Sequence, residues 1–421
     1  MDQSAADVLI PSRFSLSGWK TFLAVMGPGL VVMLADTDVG SIITAAQSGV
    51  QWGFRLLSLQ LLLIPVLYVV QELTVRLGVF TGQGHGELIR KCFGTGWAWL
   101  SVTGLGVATI GALLTEFSGV AGVGELFGIP RLLSLSLTVV VLLTVVLTGS
   151  YRRVERVAIA LGLFEFAFFV VAWRAHPHGA EMAAGLWHMP LGNSAYLYLV
   201  AANIGAVIMP WMIFYQQSAV ADKKLQACHY RFAQWDTAVG SVVTQLVMAA
   251  ILIAAAATIG ERHADASLNN IGDITKMLVP FLGVDVGRVI FGLGTIGAAM
   301  VAAIVVSLAS AWGFGEVTGY RHSLEHHPLE APWFYGIYAL AVIGGAVVVD
   351  LVPNLVRLNI AVEVMNAMML PVVLGFLVAL AFRALPPERR PRGLYAWIVI
   401  CVSVVTAGLG VYGGISGAQL F

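Results

Sequence analysis

Two aspartates, Asp36 and Asp38, lie inside an apolar run that is long enough to cross a lipid bilayer. An ionised carboxylate at that depth costs several kcal/mol, so it persists only where it faces protein or a water-filled cavity. Glycines and a proline surround the pair between Gly27 and Gly40, and these residue types interrupt helices. An interrupted helix frees backbone carbonyls, which bind hard cations together with carboxylates. The stretch therefore predicts a cation site inside a membrane.

Asp38 is the best candidate for the metal-binding carboxylate of this stretch. The interruption frees the carbonyl of Ala35, and the hydroxyl of Ser41 follows one helical turn after Asp38. In a helix that ran through both aspartates, Asp36 would face away from Asp38, which makes Asp36 a candidate cap for the second half-helix. We therefore expect Asp38, Ser41 and the Ala35 carbonyl to be ligands, with Asp36 in a supporting position.

A second interruption lies in the sixth apolar run, where Gly205 and Pro210 enclose Ala206. A proline inside a helix removes a backbone donor and clashes with the preceding turn, so the Ala206 carbonyl becomes available as a ligand. Glycine and proline are frequent in membrane helices, and either break alone carries little weight. Because an odd number of spans separates the two breaks, the two halves of the chain run in opposite directions, as in the inverted repeats of secondary transporters. Matching breaks predict a substrate site at the membrane midplane.

The composition excludes a soluble protein, because 58% of the 421 residues are hydrophobic, 11% are charged and the mean hydropathy is +0.86. The 23 basic and 23 acidic residues provide no basic surface for nucleic acid. We predict an all-α polytopic membrane protein with eleven transmembrane helices. The predicted spans are 21–52 (broken), 54–79, 95–124, 131–149, 154–173, 195–221 (broken), 231–259, 289–315, 333–352, 359–382 and 394–417.

The distribution of basic residues predicts the orientation in the membrane. With residues 1–20 in the cytoplasm, most of the 23 lysines and arginines lie on the cytoplasmic side, which places the C-terminus outside. The expected location is the plasma membrane, specifically a bacterial inner membrane. We expect a monomer to suffice for transport. We also expect no cofactor. The predicted units are the segment 1–20, a first repeat 21–173, an external loop 174–194, a second repeat 195–382 and a last helix 394–417.

Four stretches of the chain resemble the Nramp family of divalent metal transporters, namely 27–29, 38–41, 45–53 and 206–210. That family has an Asp-Pro-Gly-Asn motif in helix 1 and an Ala-x-x-Met-Pro-His motif in helix 6. The order and number of spans agree over essentially the whole chain. The resemblance implies a LeuT-like fold with a 5+5 inverted repeat, in which Asp38, Met209 and carbonyls near Ala35 and Ala206 hold the metal.

Departures from the family pattern bear on proton coupling. This chain has Val39, Ser41 and Trp211 where the family has the proline, asparagine and histidine of its two motifs. In the third span, the family's run of acidic residues is reduced to Glu116, with Leu113 and Gly106 at the other positions. Tryptophan and leucine side chains cannot take up and release a proton, so we expect poor proton coupling. The substitutions resemble the Nramp-related magnesium transporter branch, whose members are uncoupled and accept a more hydrated ion.

Five further polar side chains in the apolar runs are candidates for a supporting cavity: Gln216, Gln217, Gln245, Glu363 and Asn366. Mg²⁺ dehydrates reluctantly and keeps several waters, so its site should be roomy and rich in oxygen. The alternative is that these side chains link helices through hydrogen bonds. Met209 favours manganese, because a thioether prefers transition metals. Trp211 either narrows the cytoplasmic side or packs against neighbouring helices.

Charged and polar residues also mark the predicted inner ends of the spans. They are Gln71, Glu72, Arg76, Asp236 and Glu316. They form either one network that closes an inner gate or ordinary end-of-helix charges that reach the interface separately. Both interpretations stay open at this point.

One motif favours an enzyme. His322, Glu325 and His326 match the H-x-x-E-H pattern of a zinc peptidase. The motif lies in a short polar loop that includes Pro328, so the helix that should present it to zinc has little room. We therefore expect no enzyme but a carrier that moves Mg²⁺ and Mn²⁺ inward by alternating access without obligatory proton coupling. The alternatives are a proton-coupled Mn²⁺/Fe²⁺ importer and, remotely, a membrane metallohydrolase.

Overall fold

The computed structural model describes residues 25–260, 274, 283–351 and 358–418, and these residues form helices and no strands. Within them, nine helical segments are long and apolar enough to cross a bilayer. The first of these, Val39–Thr81, joins the end of the first predicted span to the second span, and the apolar helix Arg131–Leu147 has only 17 residues. The all-α polytopic fold is confirmed, whereas the count of eleven spans stays a prediction.

Sixteen α-helices lie within the described residues. In order they are α1 (Pro28–Asp36), α2 (Val39–Trp52), α3 (Leu57–Thr81), α4 (His85–Phe93), α5 (Thr95–Leu126), α6 (Arg131–Leu147), α7 (Tyr151–Gly162), α8 (Ala167–Arg174), α9 (Gly179–Gly185), α10 (Ser194–Val207), α11 (Pro210–Asp222), α12 (Tyr230–Ala255), α13 (Val284–Thr318), α14 (Pro332–Leu351), α15 (Leu358–Arg383) and α16 (Gly393–Ala418).

Both predicted helix breaks are present. Helix α1 ends at Asp36 and α2 begins at Val39, so two residues leave the helix between them. Helix α10 ends at Val207 and α11 begins at Pro210, whose ring fits the first turn of a helix but not its interior. The first and sixth spans are therefore interrupted, as the sequence predicts.

The broken helices occupy the centre of the bundle. In the most apolar window of Ser194–Asp222, 94% of the residues are buried, against 28% for Gly393–Ser416 at the periphery. A helix that is apolar and buried all round belongs to the core of a bundle, whereas a helix with one exposed apolar side faces lipid. The polar atoms at both breaks are consequently enclosed by protein.

Glycines allow the outer halves of the broken helices to pack closely on their neighbours. A Cβ atom at Gly205 of α10 would collide with the backbone of α15 at Glu363. A Cβ atom at Gly49 of α2 would collide with the backbone of α12 at Leu252. Small residues at such contacts let membrane helices approach closely, and both outer halves are therefore held by van der Waals packing.

The predicted loops meet the structure in different ways. The external loop 174–194 contains the short helix α9, which the sequence analysis does not predict. The helix begins directly after His178 and most of its residues are exposed, so the sequence lacks the apolar periodicity that would predict it. The segment 1–20 lies outside the described residues, as does most of 261–287.

Candidate metal site

Asp38 lies at the first helix break and has one carboxylate oxygen without a protein partner. Its Oδ1 accepts a hydrogen bond from the backbone N–H of Ser41 at 2.7 Å, which makes Asp38 the N-cap of α2. Its Oδ2 is buried and has no hydrogen-bond partner among the described residues. The expectation that Asp36 caps this helix is wrong. The chain leaves the helix at Thr37, so the residue that directly precedes α2 takes the cap.

The second break faces the first through a direct hydrogen bond. The Ser41 hydroxyl donates to the carbonyl of Ala206 at 3.0 Å, and this contact brings together two predicted ligands. Met209 follows in an extended conformation and is fully buried. Ala35 is also fully buried, in the last turn of α1. The structure thus gathers buried carboxylate, hydroxyl, carbonyl and thioether groups around two helix ends.

Two further carboxylates approach Asp38 from neighbouring helices. Glu116 of α5 accepts a hydrogen bond from the backbone N–H of Val39 at 3.3 Å. Glu363 of α15 lies against Gly40 and accepts a hydrogen bond from the Asn366 side chain at 3.1 Å. Both carboxylates are near enough to Asp38 to repel it electrostatically when they are ionised. Glu116 Oε1 and the Asn366 side-chain oxygen are buried without a partner in the described part of the chain.

The carboxylates do not form a cage by themselves. Among the described residues, no group of three or more histidine, cysteine, aspartate or glutamate side chains is arranged to hold a metal ion. A cation beside Asp38 must therefore complete its coordination with neutral oxygens, with Met209 or with water. Mg²⁺ and Mn²⁺ accept such oxygen-rich sets, and Mg²⁺ usually keeps several waters.

Asp36 lies in the last turn of α1, close to α12. Its Oδ2 is 3.4 Å from the Thr244 hydroxyl, which donates to it, and its Oδ1 is buried without a partner in the described residues. Thr244 also shares a hydrogen bond of 2.9 Å with the hydroxyl of Thr37. Asp36 is therefore tied to α12 by a polar cluster.

Two of the predicted cavity residues already have protein partners. The side-chain amide of Gln216 accepts from Thr74 at 3.0 Å and donates to Thr237 at 2.8 Å. The side chain of Gln217 bonds to the ring of His85 at 2.9 Å and donates to a backbone carbonyl at 3.0 Å. Both residues lie in α11, which continues from the second break towards the predicted cytoplasmic loop. Their membership of the ion cavity stays a prediction.

Gln245 and Trp211 behave differently from these two glutamines. Both are fully buried. Neither the oxygen nor the nitrogen of the Gln245 amide has a partner in the described residues, and the Trp211 ring nitrogen has none either. Unpaired buried amides are rare in proteins, so Gln245 is available to bind water or an ion.

The N-terminal end of α1, on the predicted cytoplasmic side, is held by a cluster that we call the inner latch, formed by Asp236, Lys223 and Glu155. Asp236 accepts hydrogen bonds from three backbone N–H groups at the start of α1, those of Gly27, Gly29 and Leu30, at 3.1, 2.8 and 3.2 Å. Lys223 donates to the carbonyls of residues 25 and 26 and pairs with Glu155 at 2.7 Å. A carboxylate at a helix N-terminus also interacts favourably with the helix dipole.

The other inner-end charges form separate clusters. Glu72 pairs with Arg76 at 2.9 Å and accepts hydrogen bonds from Tyr230 and Tyr395. Glu316 accepts from the Ser218 hydroxyl at 2.5 Å and from the backbone N–H of residue 86 at 2.8 Å. The structure thus resolves the predicted network into separate groups, and among the residues that it describes the inner latch is the group that binds the start of α1.

The H-x-x-E-H motif does not form a zinc site. Helix α13 ends at Thr318, and the motif lies in the turns that follow. The His322 ring bonds to the carbonyl of Tyr320 at 2.6 Å, and Glu325 accepts from the backbone of Tyr151 at 3.3 Å. Because the residues are not on a helix, they present no common face to a metal.

The sequence analysis missed one carboxylate that lies beside the first break. Glu165 belongs to a 3₁₀ turn between α7 and α8, and it is fully buried. Its carboxylate is oriented towards the Thr37 hydroxyl and lies near Asp36. The signal was available, because Glu165 is an acid in the middle of the predicted span 154–173, and intramembrane acids are functional candidates by default.

Comparison with known proteins places the chain in a family. Residues 29–416 match the Natural resistance-associated macrophage protein-like (Nramp) family. The divalent metal cation transporter MntH of Xanthomonas campestris is 30% identical over 306 residues, which are 69% of this chain and 68% of that protein.

Solved structures agree on the fold. The manganese transporter of Eremococcus coleocola superposes with a TM-score of 0.80 at 20% identity, covering 99% of this chain and 92% of that one. A Na⁺-coupled sialic acid symporter superposes with a TM-score of 0.61 at 14% identity, over 95% of this chain and 90% of that one. The fold is therefore the LeuT-like fold that the resemblance implies. The chain belongs to the Nramp family of membrane transporters.

Proposed function

We propose that this protein is a carrier that moves Mg²⁺ and Mn²⁺ into the cytoplasm by alternating access, without obligatory proton coupling. The observation that carries the proposal is the unpaired Oδ2 of Asp38, which is buried where two helix breaks meet. Free helix ends at the midplane are the usual substrate site of such carriers. Relatives in the family are named divalent metal cation transporters, which supports the same class of substrate.

A second carboxylate supports a divalent rather than a monovalent substrate. Glu363 lies against Gly40 and close to Asp38, so an ion between them meets two negative charges. The unpaired oxygen of Asn366 and the unpaired amide of Gln245 add neutral groups that water can bridge. A site with few direct ligands and several water-binding groups suits Mg²⁺, which is reluctant to lose its hydration shell.

Two positions that lack the titratable side chain implied by the resemblance support uncoupled transport. Trp211 and Leu113 are buried and carry no titratable group, although each stands where the resemblance implies one. Gly106 and Leu113 line an apolar cavity of 560 Å³ between α5, α13 and α14. Protons need titratable groups or water, and an apolar wall offers neither.

Met209 and Glu116 favour the second candidate, a proton-coupled Mn²⁺/Fe²⁺ importer. The buried thioether of Met209 is a soft donor that prefers transition metals to Mg²⁺. Glu116 is a buried acid beside the first break, and its Oε1 is unpaired among the described residues. Both features would serve a carrier that moves Mn²⁺ together with a proton.

Uptake into proteoliposomes separates the two candidates. Vesicles containing the purified protein, a magnesium-sensitive dye and a pH-sensitive dye should show entry of Mg²⁺ and Mn²⁺ with no matching change of internal pH. Entry of Mn²⁺ with stoichiometric acidification and without Mg²⁺ entry would establish the proton-coupled importer instead. Protein-free vesicles give the leak rate.

Two substitutions test the site itself. Asp38→Asn should abolish uptake of both ions, because it removes the ligand charge while keeping the side-chain shape. Asp222→Asn is the matched control: Asp222 is also a largely buried acid, but it binds the loop at residues 323 and 324. Normal uptake by Asp38→Asn would refute the site. Glu363→Gln should weaken selection of Mg²⁺ over Na⁺, and unchanged competition curves would return Glu363 to a structural role.

A further inference from the structure

We propose that a second cation site, for Na⁺, lies on the far side of the first helix break and is formed by Glu165, Asp36 and Thr37. The site itself stands on geometry alone, and only its effect on divalent transport rests on the proposed function. It faces α7, α8 and α12, whereas Asp38 faces the second break through Ser41 and Ala206.

The oxygens of Glu165 carry the inference. Glu165 is fully buried in the middle of its span, and neither carboxylate oxygen makes a hydrogen bond of normal geometry with the described residues. The carboxylate is nevertheless oriented towards the Thr37 hydroxyl, at the point where α1 unwinds. An unpaired buried carboxylate is costly, so such a group in a native protein calls for a bound ion, a proton or water.

Asp36 and two hydroxyls complete a set of oxygen donors. Asp36 Oδ1 is buried without a partner in the described part of the chain, and Asp36 lies close to Glu165. The Thr37 and Thr244 hydroxyls bond to each other at 2.9 Å and keep lone pairs for a further interaction. Hydroxyl oxygens coordinate a metal ion, whereas a proton would need only the carboxylates. This neutral part of the donor set favours Na⁺.

The end of α1 strengthens the attraction for a cation. Its nine residues end at Asp36, so the last carbonyls of α1 and its negative dipole end lie at the same place. Half-helix C-terminal ends with unwound carbonyls are the usual coordination sites of Na⁺ in carriers with broken helices. The carboxylates, the hydroxyls and the C-terminal end of α1 therefore all favour a bound cation.

Charge balance around the break also calls for more than one cation. Five buried carboxylates gather there, those of Asp36, Asp38, Glu116, Glu165 and Glu363. No lysine, arginine or histidine forms an ion pair with any of them within 25–260, 283–351 and 358–418. One divalent ion supplies two positive charges, and uncompensated buried charge is strongly unfavourable. A monovalent cation at Glu165 removes part of that excess.

Binding at this site should be coupled to binding at Asp38. Thr37 is one of the two residues between α1 and α2, and Asp38 is the other. An ion that fixes Thr37 also fixes the orientation of Asp38, which lowers the entropy cost of binding a divalent ion there. We therefore expect Na⁺ to increase the affinity for the divalent ion, and by linkage the divalent ion to increase the affinity for Na⁺.

Thermal unfolding of the purified protein in detergent tests the site without any divalent ion. With a chelator present, NaCl should raise the unfolding temperature above the value in equal concentrations of KCl or N-methylglucamine chloride. Glu165→Gln should remove this difference, whereas Asp38→Asn should keep it. Equal unfolding temperatures in all three salts, or an unchanged response of Glu165→Gln, would overturn the proposal. A shift that follows pH but not Na⁺ would also overturn it, since the group would then bind only a proton.

A second variant guards against a folding defect in Glu165→Gln. Thr37→Val keeps the shape of the side chain and removes the hydroxyl, so it should weaken the response to Na⁺ without changing the carboxylates. Calorimetric titration of Mn²⁺ then measures the coupling, and we expect at least about fivefold tighter binding in Na⁺ than in K⁺. Loss of Mn²⁺ binding with a retained Na⁺ response would refute the proposed function alone. Equal Mn²⁺ affinity in both salts would refute the coupling.

Discussion

We expect the inner latch to favour closure of the carrier on the side that the sequence predicts to be cytoplasmic. Asp236 accepts three backbone N–H groups at the start of α1, and Asp236→Ala removes all three acceptor contacts at once. Loss of a cap costs ~0.5–2 kcal/mol, and loss of a charge at a helix N-terminus costs up to ~2 kcal/mol. Together they give about 3 kcal/mol, which corresponds to about a 100-fold shift towards the inward-open state. Asp236→Asn keeps an acceptor and should give a smaller shift.

A thiol introduced at a buried position of α1 can measure this opening. Met33 is 1% exposed and packs against Gly240 of α12, so a cysteine at residue 33 reacts only when α1 moves away. The measurement uses Met33→Cys in inside-out vesicles with a charged thiol reagent, after the native cysteines have been replaced by alanine. Asp236→Ala should increase the reaction rate by about 100-fold, within a factor of ten. The native cysteines are Cys92, Cys228 and Cys401.

The control separates the latch from general loosening of the protein. Asp222→Ala also removes a largely buried acid on the predicted cytoplasmic side, but it releases residues 323 and 324 rather than α1. It should leave the reactivity of a cysteine at residue 33 unchanged. An equal increase in both variants, or no increase in Asp236→Ala, would refute the assignment of Asp236 to the latch.

Three further predictions concern separate parts of the chain. Burial lowers the pKa of His85, outside the spans, to about 4 from the ordinary value near 6.5, so the unfolded state binds more protons and stability falls as the pH drops below 6.5. Denaturant titrations should show that the free energy of unfolding falls by about 3 kcal/mol between pH 7 and pH 4, and that His85→Gln largely removes this fall. The same dependence of the free energy of unfolding on pH in the variant would contradict this. Gly205→Ala should lower the free energy of unfolding by about 1–3 kcal/mol because its Cβ meets the backbone of α15, while Gly336→Ala, whose Cβ meets no neighbouring atom, should unfold at or above the parent temperature because alanine favours a helix more than glycine does. Ser41→Ala loses the bond to the Ala206 carbonyl, and calorimetry should show Mn²⁺ binding about five- to tenfold weaker; full affinity would exclude a role for this hydroxyl.

The positions of the helix breaks could be predicted from local chemistry. Pro210 cannot continue a helix, and the apolar run around Asp38 cannot hide a carboxylate unless the helix opens. These are properties of single residues, so they need no tertiary information. The buried location of both breaks could also be predicted, because exposed polar atoms at this depth would face lipid.

The partners of the polar side chains could not be predicted in the same way. Placing Asp36 as the cap assumes that the chain is helical between the aspartates, and the unwinding at Thr37 removes that assumption. The partners of Gln216, which are Thr74 and Thr237, come from distant helices whose rotation the sequence does not specify. Glu165 is a different case, because the rule that identified Asp38 applies to it unchanged.

The dual role of Asp38 limits the way in which an ion can be coordinated. Since Oδ1 already accepts the Ser41 N–H, Oδ2 is the oxygen without a protein partner, and the carboxylate most readily offers that one oxygen to an ion. Ca²⁺ has seven or so ligands and often takes both oxygens of a carboxylate, whereas octahedral Mg²⁺ takes one. Bidentate binding would draw Oδ1 away from the Ser41 N–H and weaken the cap of α2, at a cost of up to about 1 kcal/mol. Competition of Ca²⁺ as strong as that of Mg²⁺ would contradict this reasoning. In the proposed site, the residue that starts the helix thereby favours coordination through one oxygen, and we expect this denticity to discriminate against calcium.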